Sequence, residues 1–142
     1  MAMQIRPFAP ADTEATVQLW QACGLTRPWN DPYKDIERKL QVHPELFLVG
    51  CDESGAVMAS VMVGYEGHRG WINYLAVHPA RQRQGHASRL MEIAERLLTE
   101  RGCPKLNLQI RTGNEAVIAF YASLGYTDDQ TLSLGKRLIA DI

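Results

Sequence analysis

The chain reads Val77-His78-Pro79-Ala80-Arg81-Gln82-Arg83-Gln84-Gly85-His86-Ala87-Ser88 where an apolar segment gives way to an amphipathic one. Residues 71–77 have the composition of a strand, and the apolar residues after the turn repeat at helical spacing: Leu90, Ile93, Ala94, Leu97 and Leu98. The turn therefore lies at a helix N-terminus, where backbone N–H groups lack partners within the helix and the helix dipole adds partial positive charge. Such a turn favours a diphosphate held by the main chain.

Small and basic residues in this turn suit the same ligand. Gly85 and Ala87 allow phosphate oxygens to approach the backbone, and Arg81, Gln82 and Arg83 can add donors at the rim. The spacing Gln-x-x-Gly-x-Ala is a weak signal by itself, because a turn with one glycine and two arginines before a helix is usually solvated. A second motif is needed to decide between the two interpretations.

Length and composition predict one globular domain, residues 1–142, because the chain is short and 46% hydrophobic. The net charge of −1 provides no overall field that favours nucleic acid or an anionic membrane as a partner. The cysteines and histidines show no spacing typical of a metal site, so no metal is expected. No segment resembles a signal peptide or a membrane span, which predicts a soluble cytoplasmic protein.

Alternating and continuous apolar runs predict an α/β fold with a mixed sheet. Predicted strands are residues 3–8, 46–51, 56–65, 71–77, 105–111 and 131–139. Predicted helices begin after Asp12, Asp31, Gly85 and Asn114. The N-terminal strands are expected to be antiparallel, and the strands on either side of the third helix to be parallel.

The second motif is Asn114-Glu115-Ala116-Val117-Ile118-Ala119-Phe120-Tyr121-Ala122-Ser123-Leu124-Gly125-Tyr126, one strand and one loop after the turn. In this order, the two motifs resemble the pyrophosphate loop and the Asn-x-x-Ala-x-x-Phe-Tyr-x-x-Leu-Gly-Tyr/Phe helix of the GNAT-type N-acetyltransferase superfamily. Residues 27–32, 64–70 and 132–138 are also similar to bacterial YpeA-type acetyltransferases. The resemblance covers about residues 3–139. It implies the acyl-CoA N-acyltransferase fold of that superfamily, with a central mixed sheet of about six or seven strands and about four flanking helices.

The resemblance implies acetyl-CoA as the acetyl donor. The pyrophosphate would lie on the turn, and the pantetheine arm would pair with strand backbone, which together assign these residues: Leu75, Ala76, Val77, Gln82, Arg83, Gln84, Gly85, His86, Ala87 and Ser88. Asn114 is explained by helix capping, and in the family a residue here often contacts CoA as well. Asn107 and Gln109 either line the gap between the two parallel strands or are ordinary outward residues.

Tyr121 has the motif position whose tyrosine, in the family, protonates the departing CoA thiolate. A phenol with a reference pKa of about 10 stays protonated at neutral pH and suits that role. Without the resemblance, Tyr121 would be assigned to an apolar stripe with Val117 and Leu124.

The general base is not identified by the resemblance. Many family members carry a carboxylate in the strand before the turn, where this chain has Asn73 and Tyr74. Glu66 and His68 in the preceding loop are candidates, acting directly or through water, and histidine has the better intrinsic pKa. Deprotonation of the amine by bulk water is the third alternative.

The acceptor pocket is predicted in the loop that holds Arg27, Trp29 and Asn30, which combines charge, aromatic surface and hydrogen-bonding groups. The predicted function is transfer of an acetyl group to a primary amine, of a small molecule or a protein, by direct attack in a ternary complex. The alternative is a non-catalytic acyl-CoA binding or sensing module, because the strand carboxylate is missing. Neither nucleic acid nor a membrane is expected as a partner, and pairing of the last strand across a homodimer stays open.

Overall fold

Nine helices and strands are found in the computed structural model, which describes residues 2–141. In chain order they are β1 (Gln4–Pro7), α1 (Thr13–Ala22), α2 (Pro32–Lys39), β2 (Phe47–Cys51), β3 (Val57–Tyr65), β4 (Gly70–Val77), α3 (His86–Glu100), β5 (Leu106–Leu108) and α4 (Glu115–Ser123). Short 3-10 turns lie at Pro10–Asp12, Pro44–Leu46 and Pro79–Arg81. Within residues 2–141, no helix combines the length and apolar character that crossing a bilayer requires.

The five strands form one mixed sheet in the order β1-β2-β3-β4-β5. The first four are antiparallel, and β4 and β5 are parallel because α3 crosses over between them. β4 pairs with β5 only as far as Ile72, opposite Leu108. Pairing with β3 continues to Val77. The two parallel strands therefore separate over the second half of β4.

Apolar side chains cover both faces of the sheet. On one face, α3 buries the residues that the helical spacing predicts: Leu90, Ala94 and Leu98. On the other face, α1 buries Val17 and Trp20, and α2 buries Ile36. The mixed α/β fold predicted from the sequence is confirmed.

The strand predicted at residues 131–139 is wrong, and the described sheet has five strands rather than six or seven. Residues 127–141, here the C-terminal segment, are held by side chains instead. Asn107 donates to Asp129 at 2.7 Å, and Gln109 donates to Ser133 at 2.5 Å. Alternating leucines predicted a strand, but Leu132 and Leu134 are about 90% exposed. The polar side chains of β5 and the residue just after it thus hold the segment without a backbone ladder.

The C-terminal segment ends against α2 through the buried carboxylate of Asp141. This carboxylate accepts hydrogen bonds from Arg38 at 2.5 Å and from the N–H of Asp31 at 2.7 Å. The hydrogen bond from Arg38, followed by that from Asp31, lowers the pKa of Asp141 from 3.8 to about 2. A depressed pKa means that this contact stabilises the fold above pH of about 4 and is lost as the pH falls towards 2.

We expect Asp141→Asn to release the C-terminal segment at neutral pH, because the neutral amide loses the charge-assisted bonds to Arg38. Trypsin should then cleave after Lys136 and Arg137 several-fold faster than in the unmodified protein, measured by mass spectrometry. Asp128→Asn is the control, since Asp128 is exposed and accepts only from the nearby N–H of Gln130. Equal cleavage rates in the two variants would contradict the anchoring role of Asp141.

Candidate active site

The turn before α3 presents backbone donors at a helix N-terminus. Gly85 is the N-cap residue, with φ of 81°, and no side chain caps the helix. Arg83 also has a left-handed backbone, with φ of 64°. The first N–H that bonds back within the helix is that of Arg89, to the carbonyl of Gly85. Left-handed residues in such a turn bring successive N–H groups together into an anion-binding concavity.

Side chains of the turn bond to β4 and to each other rather than all facing solvent. Gln82 donates from Nε2 to the carbonyl of Val77 at 3.1 Å. His86 is buried, and its Nε2 lies 3.2 Å from Oε1 of Gln84. Arg83 is exposed beside the free N–H groups. Gln82, Gln84 and His86, which were predicted to bind the diphosphate, therefore stabilise the turn through their side chains. Arg83 is exposed and can contact a ligand.

The gap between β4 and β5 opens beside this turn. Ala76 and Val77 pair with β3 on one side, opposite Ser60 and Ala59. On the β5 side, the ladder of the described chain stops at Ile72. Backbone groups of Leu75 and its neighbours are thus available on that side, as the sequence predicts for a ligand with amide groups.

Tyr121 lies on α4 and is only 7% exposed. Its ring makes T-shaped contacts with the rings of Phe120 and Tyr126, whose centroids are 5.0 and 5.6 Å away. Its hydroxyl forms no hydrogen bond with any residue between 2 and 141 in the hydrogen-bond network of the structure. Burial raises the pKa of Tyr121 to about 12, so the phenol keeps its proton. The side chain of Asn114 caps α4 by accepting the N–H of Val117 at 3.4 Å.

Glu66 and His68 lie in the turn before β4, at the opposite end of that strand from Val77. The Glu66 carboxylate accepts the N–H groups of Arg69 and His68, and these bonds lower the pKa of Glu66. The eight residues of β4 span roughly 23 Å at the usual strand rise. The structure therefore does not bring Glu66 and His68 together with the turn before α3, and their role as a base stays a prediction.

A β-bulge interrupts β4 at Tyr74. Met62 pairs with Asn73 and Ser60 with Ala76, so one residue of β3 faces two residues of β4. Tyr74 has φ of 51°, which is uncommon for a bulky residue and costs of order 1–3 kcal/mol. Strain of this size persists only where the surroundings enforce it, which makes the bulge a candidate functional position.

Contacts of its ring, its carbonyl and its hydroxyl hold Tyr74 in the bulge. Its ring stacks on Trp20, with centroids 3.7 Å apart, and its carbonyl accepts from Ser60 at 2.8 Å. Its hydroxyl donates to Oδ2 of Asp35 at 2.7 Å. Burial, followed by the Asp35 carboxylate, raises the pKa of Tyr74, so this donor stays protonated.

The three predicted acceptor residues, Arg27, Trp29 and Asn30, have different surroundings in the structure. Asn30 donates from Nδ2 to Asp35 at 2.5 Å and accepts at Oδ1 from Arg137 at 2.9 Å. Trp29 is 52% exposed, with the Arg111 guanidinium 5.9 Å from its ring centroid. Arg27 donates to the nearby backbone carbonyls of Gly24 and Thr26 within its own loop. Asn30 therefore joins the bulge, whereas Arg27 supports the loop.

A cavity of about 390 Å³ lies between α2 and the bulge, and we call it the α2 cavity. Its lining includes Asp35, Arg38, Lys39, Met62, Asn73 and Tyr74. Asp35 and Lys39 carry no signal of a site in the sequence, because charged residues on a short helix usually face solvent. Within residues 2–141, no three His, Cys, Asp or Glu side chains are grouped closely enough to hold a metal ion.

Known proteins are similar to this chain in sequence and in fold. An acetyltransferase of Yersinia enterocolitica is 52% identical over 139 residues, with 98% of each chain covered. Ard1 from Thermoplasma volcanium superposes with a TM-score of 0.80 and 27% identity, covering 89% of this chain and 84% of that one. The ribosomal-protein-S18-alanine N-acetyltransferase from Escherichia coli superposes with a TM-score of 0.72 and 25% identity, covering 87% and 77%. Residues 13–126 match the profile of the Acetyltransferase (GNAT) family, and the chain belongs to that family.

Proposed function

We propose that the protein is an acetyl-CoA-dependent N-acetyltransferase that acetylates a primary amine by direct attack within a ternary complex. The observation that carries the proposal is the gap between β4 and β5, which begins after Ile72. The backbone donors of the turn before α3 lie at one end of the gap. The α2 cavity lies beside the bulge of β4, on the face of the sheet that α2 covers. The acetyl donor and the amine acceptor would therefore bind at separate sites, both of which border β4.

The turn has the room and the chemistry for the diphosphate of acetyl-CoA. A Cβ built on Gly85 meets no heavy atom within 4 Å, so there is open space beside the free N–H groups. The N–H groups from Arg83 to Ser88 hold the diphosphate with the help of the helix dipole. Backbone groups of Leu75 and the N–H of Val77 pair with the pantetheine amides, whereas Ala76 pairs with Ser60 of β3 and the Val77 carbonyl already accepts from Gln82.

The transfer itself needs a neutral amine and a proton donor for the sulfur. The amine nitrogen attacks the thioester carbonyl carbon, a C–N bond forms and the C–S bond breaks. The Tyr121 hydroxyl donates its proton to the departing sulfur. The lack of another hydrogen-bond partner among residues 2–141 supports this role, and so does the raised pKa, which keeps the proton on the phenol at neutral pH. The proton lost by the amine leaves to water or to Glu66 or His68.

The name of one related protein supports the acceptor atom. The Escherichia coli protein, at 25% identity, is named as an N-acetyltransferase of an alanine in a ribosomal protein. Nitrogen acetylation by this chain is in keeping with that name.

Calorimetric titration with acetyl-CoA, beside acetyl-pantetheine without the diphosphate, tests the donor half of the proposal. Release of free CoA thiol in the presence of a panel of primary amines tests the acceptor half. Saturable binding that requires the diphosphate, together with amine-dependent thiol release, is the expected result. No binding at millimolar acetyl-CoA overturns the proposal, and binding without turnover for any amine supports the sensing module instead.

A pair of glycine variants isolates the turn. Gly85→Ala is expected to weaken acetyl-CoA binding about tenfold or more, because the new methyl group takes up space needed by the diphosphate. Gly55→Ala is the matched control, since Gly55 has φ of 85° and equally open space but lies in the turn between β2 and β3. Alanine at either position is strained by the left-handed backbone, which should destabilise both variants by a similar amount of about 1–2 kcal/mol. Equal dissociation constants for the two variants, measured by calorimetry, would contradict the diphosphate site.

A further inference from the structure

We infer that the acceptor is a small primary amine that also carries a carboxylate, bound in the α2 cavity with its amino group on Asp35 and its carboxylate on Lys39. This inference rests on the proposed N-acetyltransferase function and names the class of its acceptor. It is carried by the hydrogen-bond capacity of Asp35, by the unmatched charge of Lys39 and by the position of the cavity beside the bulge.

The Asp35 carboxylate has one hydrogen-bonding position left. Oδ2 accepts from Tyr74 at 2.7 Å and from Asn30 at 2.5 Å, and Oδ1 accepts from Arg38 at 3.1 Å. A carboxylate offers about four acceptor positions, so Oδ1 can accept one more N–H. The side chain is 22% exposed and lines the cavity, so a ligand can reach it. A neutral primary amine can donate one N–H there and keep its lone pair for attack.

Among the described residues, Lys39 is a cation with no carboxylate close to it. Its Nζ donates to the carbonyl of Val63 at 2.6 Å, and no carboxylate of residues 2–141 lies within 4.0 Å of it. Glu45, which acts on Lys39 from a distance, is paired with Arg101 at 3.0 Å. Burial lowers the pKa of Lys39, which is the cost of keeping an ammonium group there. A ligand carboxylate beside Nζ would offset that cost.

The charges of the cavity lining favour an acceptor with an anionic group. Asp35 contributes −1 and Lys39 contributes +1, whereas the charge of Arg38 is already matched by the Asp141 carboxylate at 2.5 Å. The cavity therefore offers a ligand one anionic and one cationic side chain. A diamine would place a second cation near Lys39 and be repelled. An amino acid would place its amino group and its carboxylate against opposite charges.

The orientation of this acceptor fits the reaction. Asp35 bonds directly to Tyr74, so the amino group lies at the bulge, where β4 leaves β5 and the thioester is expected. Lys39 binds at Val63, which pairs with Ile72 two residues before the bulge, so the carboxylate lies away from the reacting end. A cavity of about 390 Å³ is in the range that small ligands occupy.

The test compares amino carboxylates with their carboxamides. Glycine, β-alanine and 4-aminobutyrate are assayed beside glycinamide and the two corresponding amides by thiol release at saturating acetyl-CoA, with KM expressed for the neutral amine. For the best carboxylate of the series, KM should be at least tenfold lower than for its amide, because a charge-assisted hydrogen bond is lost in the amide. The three chain lengths sample different separations of amine and carboxylate.

Variants of α2 locate the recognition. Lys39→Gln, which keeps a donor for Val63, should raise the KM of the carboxylate about tenfold and change that of the amide less than threefold. Lys34→Gln removes the same charge from the same helix outside the cavity, where Lys34 donates to the backbone carbonyl of Asp141, and should change neither. Asp35→Asn should raise both KM values, because both ligands carry the amine.

Failure of the inference and failure of the proposed function give different results. If the amide serves as well as the carboxylate, or Lys39→Gln affects both equally, the acceptor class is wrong while the N-acetyltransferase function stands. If no amine is acetylated, calorimetric titration of the CoA-loaded protein with 4-aminobutyrate and its amide still tests the subsite. Equal affinities for these two ligands would overturn the inference.

Discussion

Tyr121→Phe is expected to lower kcat by about 10²- to 10⁴-fold while acetyl-CoA binds as before, because the variant removes only the proton donor for the leaving thiolate. The hydroxyl of Tyr121 has no protein partner among residues 2–141, so its loss leaves no buried group unsatisfied. Phenylalanine keeps the ring contacts with Phe120 and Tyr126. Stability should therefore change little, and the effect should be confined to turnover.

Thiol release gives kcat and calorimetry gives the dissociation constant of acetyl-CoA for this comparison. Tyr65→Phe is the matched control, since the Tyr65 hydroxyl makes only long contacts within the described part of the chain, of 3.4 and 3.5 Å to the carbonyls of Gly67 and Gly102. A change in kcat below about threefold across several amine acceptors would contradict the assignment of Tyr121. A matching loss in the control would point to general disturbance instead.

The pH profile offers a second measurement on the same residue. Because burial raises the pKa of Tyr121 to about 12, the phenol is protonated throughout the usual assay range of about pH 6–10. We therefore expect no alkaline loss of kcat from Tyr121 in that range. The rise on the acidic side comes from deprotonation of the amine and should be unchanged in Tyr121→Phe.

Local patterns predicted those parts of the fold that depend on neighbouring residues in the chain. The apolar run at residues 46–51 is the buried strand β2, and the helical spacing after Gly85 is the buried face of α3. Residues 131–139 have an equally clear strand pattern, yet form no strand. Strand formation needs a partner backbone. Asn107 and Gln109 instead contact the C-terminal segment, at Asp129 and Ser133, through side chains, which no pattern within that segment reveals.

The acetyl-CoA side and the acceptor side of the site also differ in how far they depend on neighbouring residues in the chain. The turn before α3 and the α4 motif are continuous segments, so they could carry the family resemblance by which Gly85 and Tyr121 were selected. The contact between Asp35 and Tyr74 joins positions 39 residues apart and depends on a left-handed tyrosine in a bulge. A bulge of this kind has no compositional signal, since glycine or asparagine is the usual marker of positive φ. The acceptor side was therefore the part that required the structure.

Trp20→Ala is expected to lower the free energy of unfolding by about 3–5 kcal/mol, the usual cost of removing a large buried aromatic side chain. Trp20 is fully buried, stacks on Tyr74 and lies 6.1 Å from Phe47 between ring centroids. Its Nε1 donates to Ser60 at 2.9 Å, and Ser60 in turn donates to the carbonyl of Tyr74. The substitution therefore removes a large buried side chain from the core and, at the same time, the contacts that support the bulge at Tyr74.

Urea denaturation measures this loss, with Trp29→Ala as the control because Trp29 is half exposed and should lose no more than about 1 kcal/mol. A loss below about 1.5 kcal/mol in Trp20→Ala would show that the core readily closes around the vacancy. Trp20→Phe separates packing from hydrogen bonding, since it keeps an aromatic ring beside Tyr74 but removes the donor to Ser60. If the bulge needs both supports to hold Tyr74 at positive φ, then Trp20→Phe should raise the KM of the amine more than its smaller loss of stability alone would suggest.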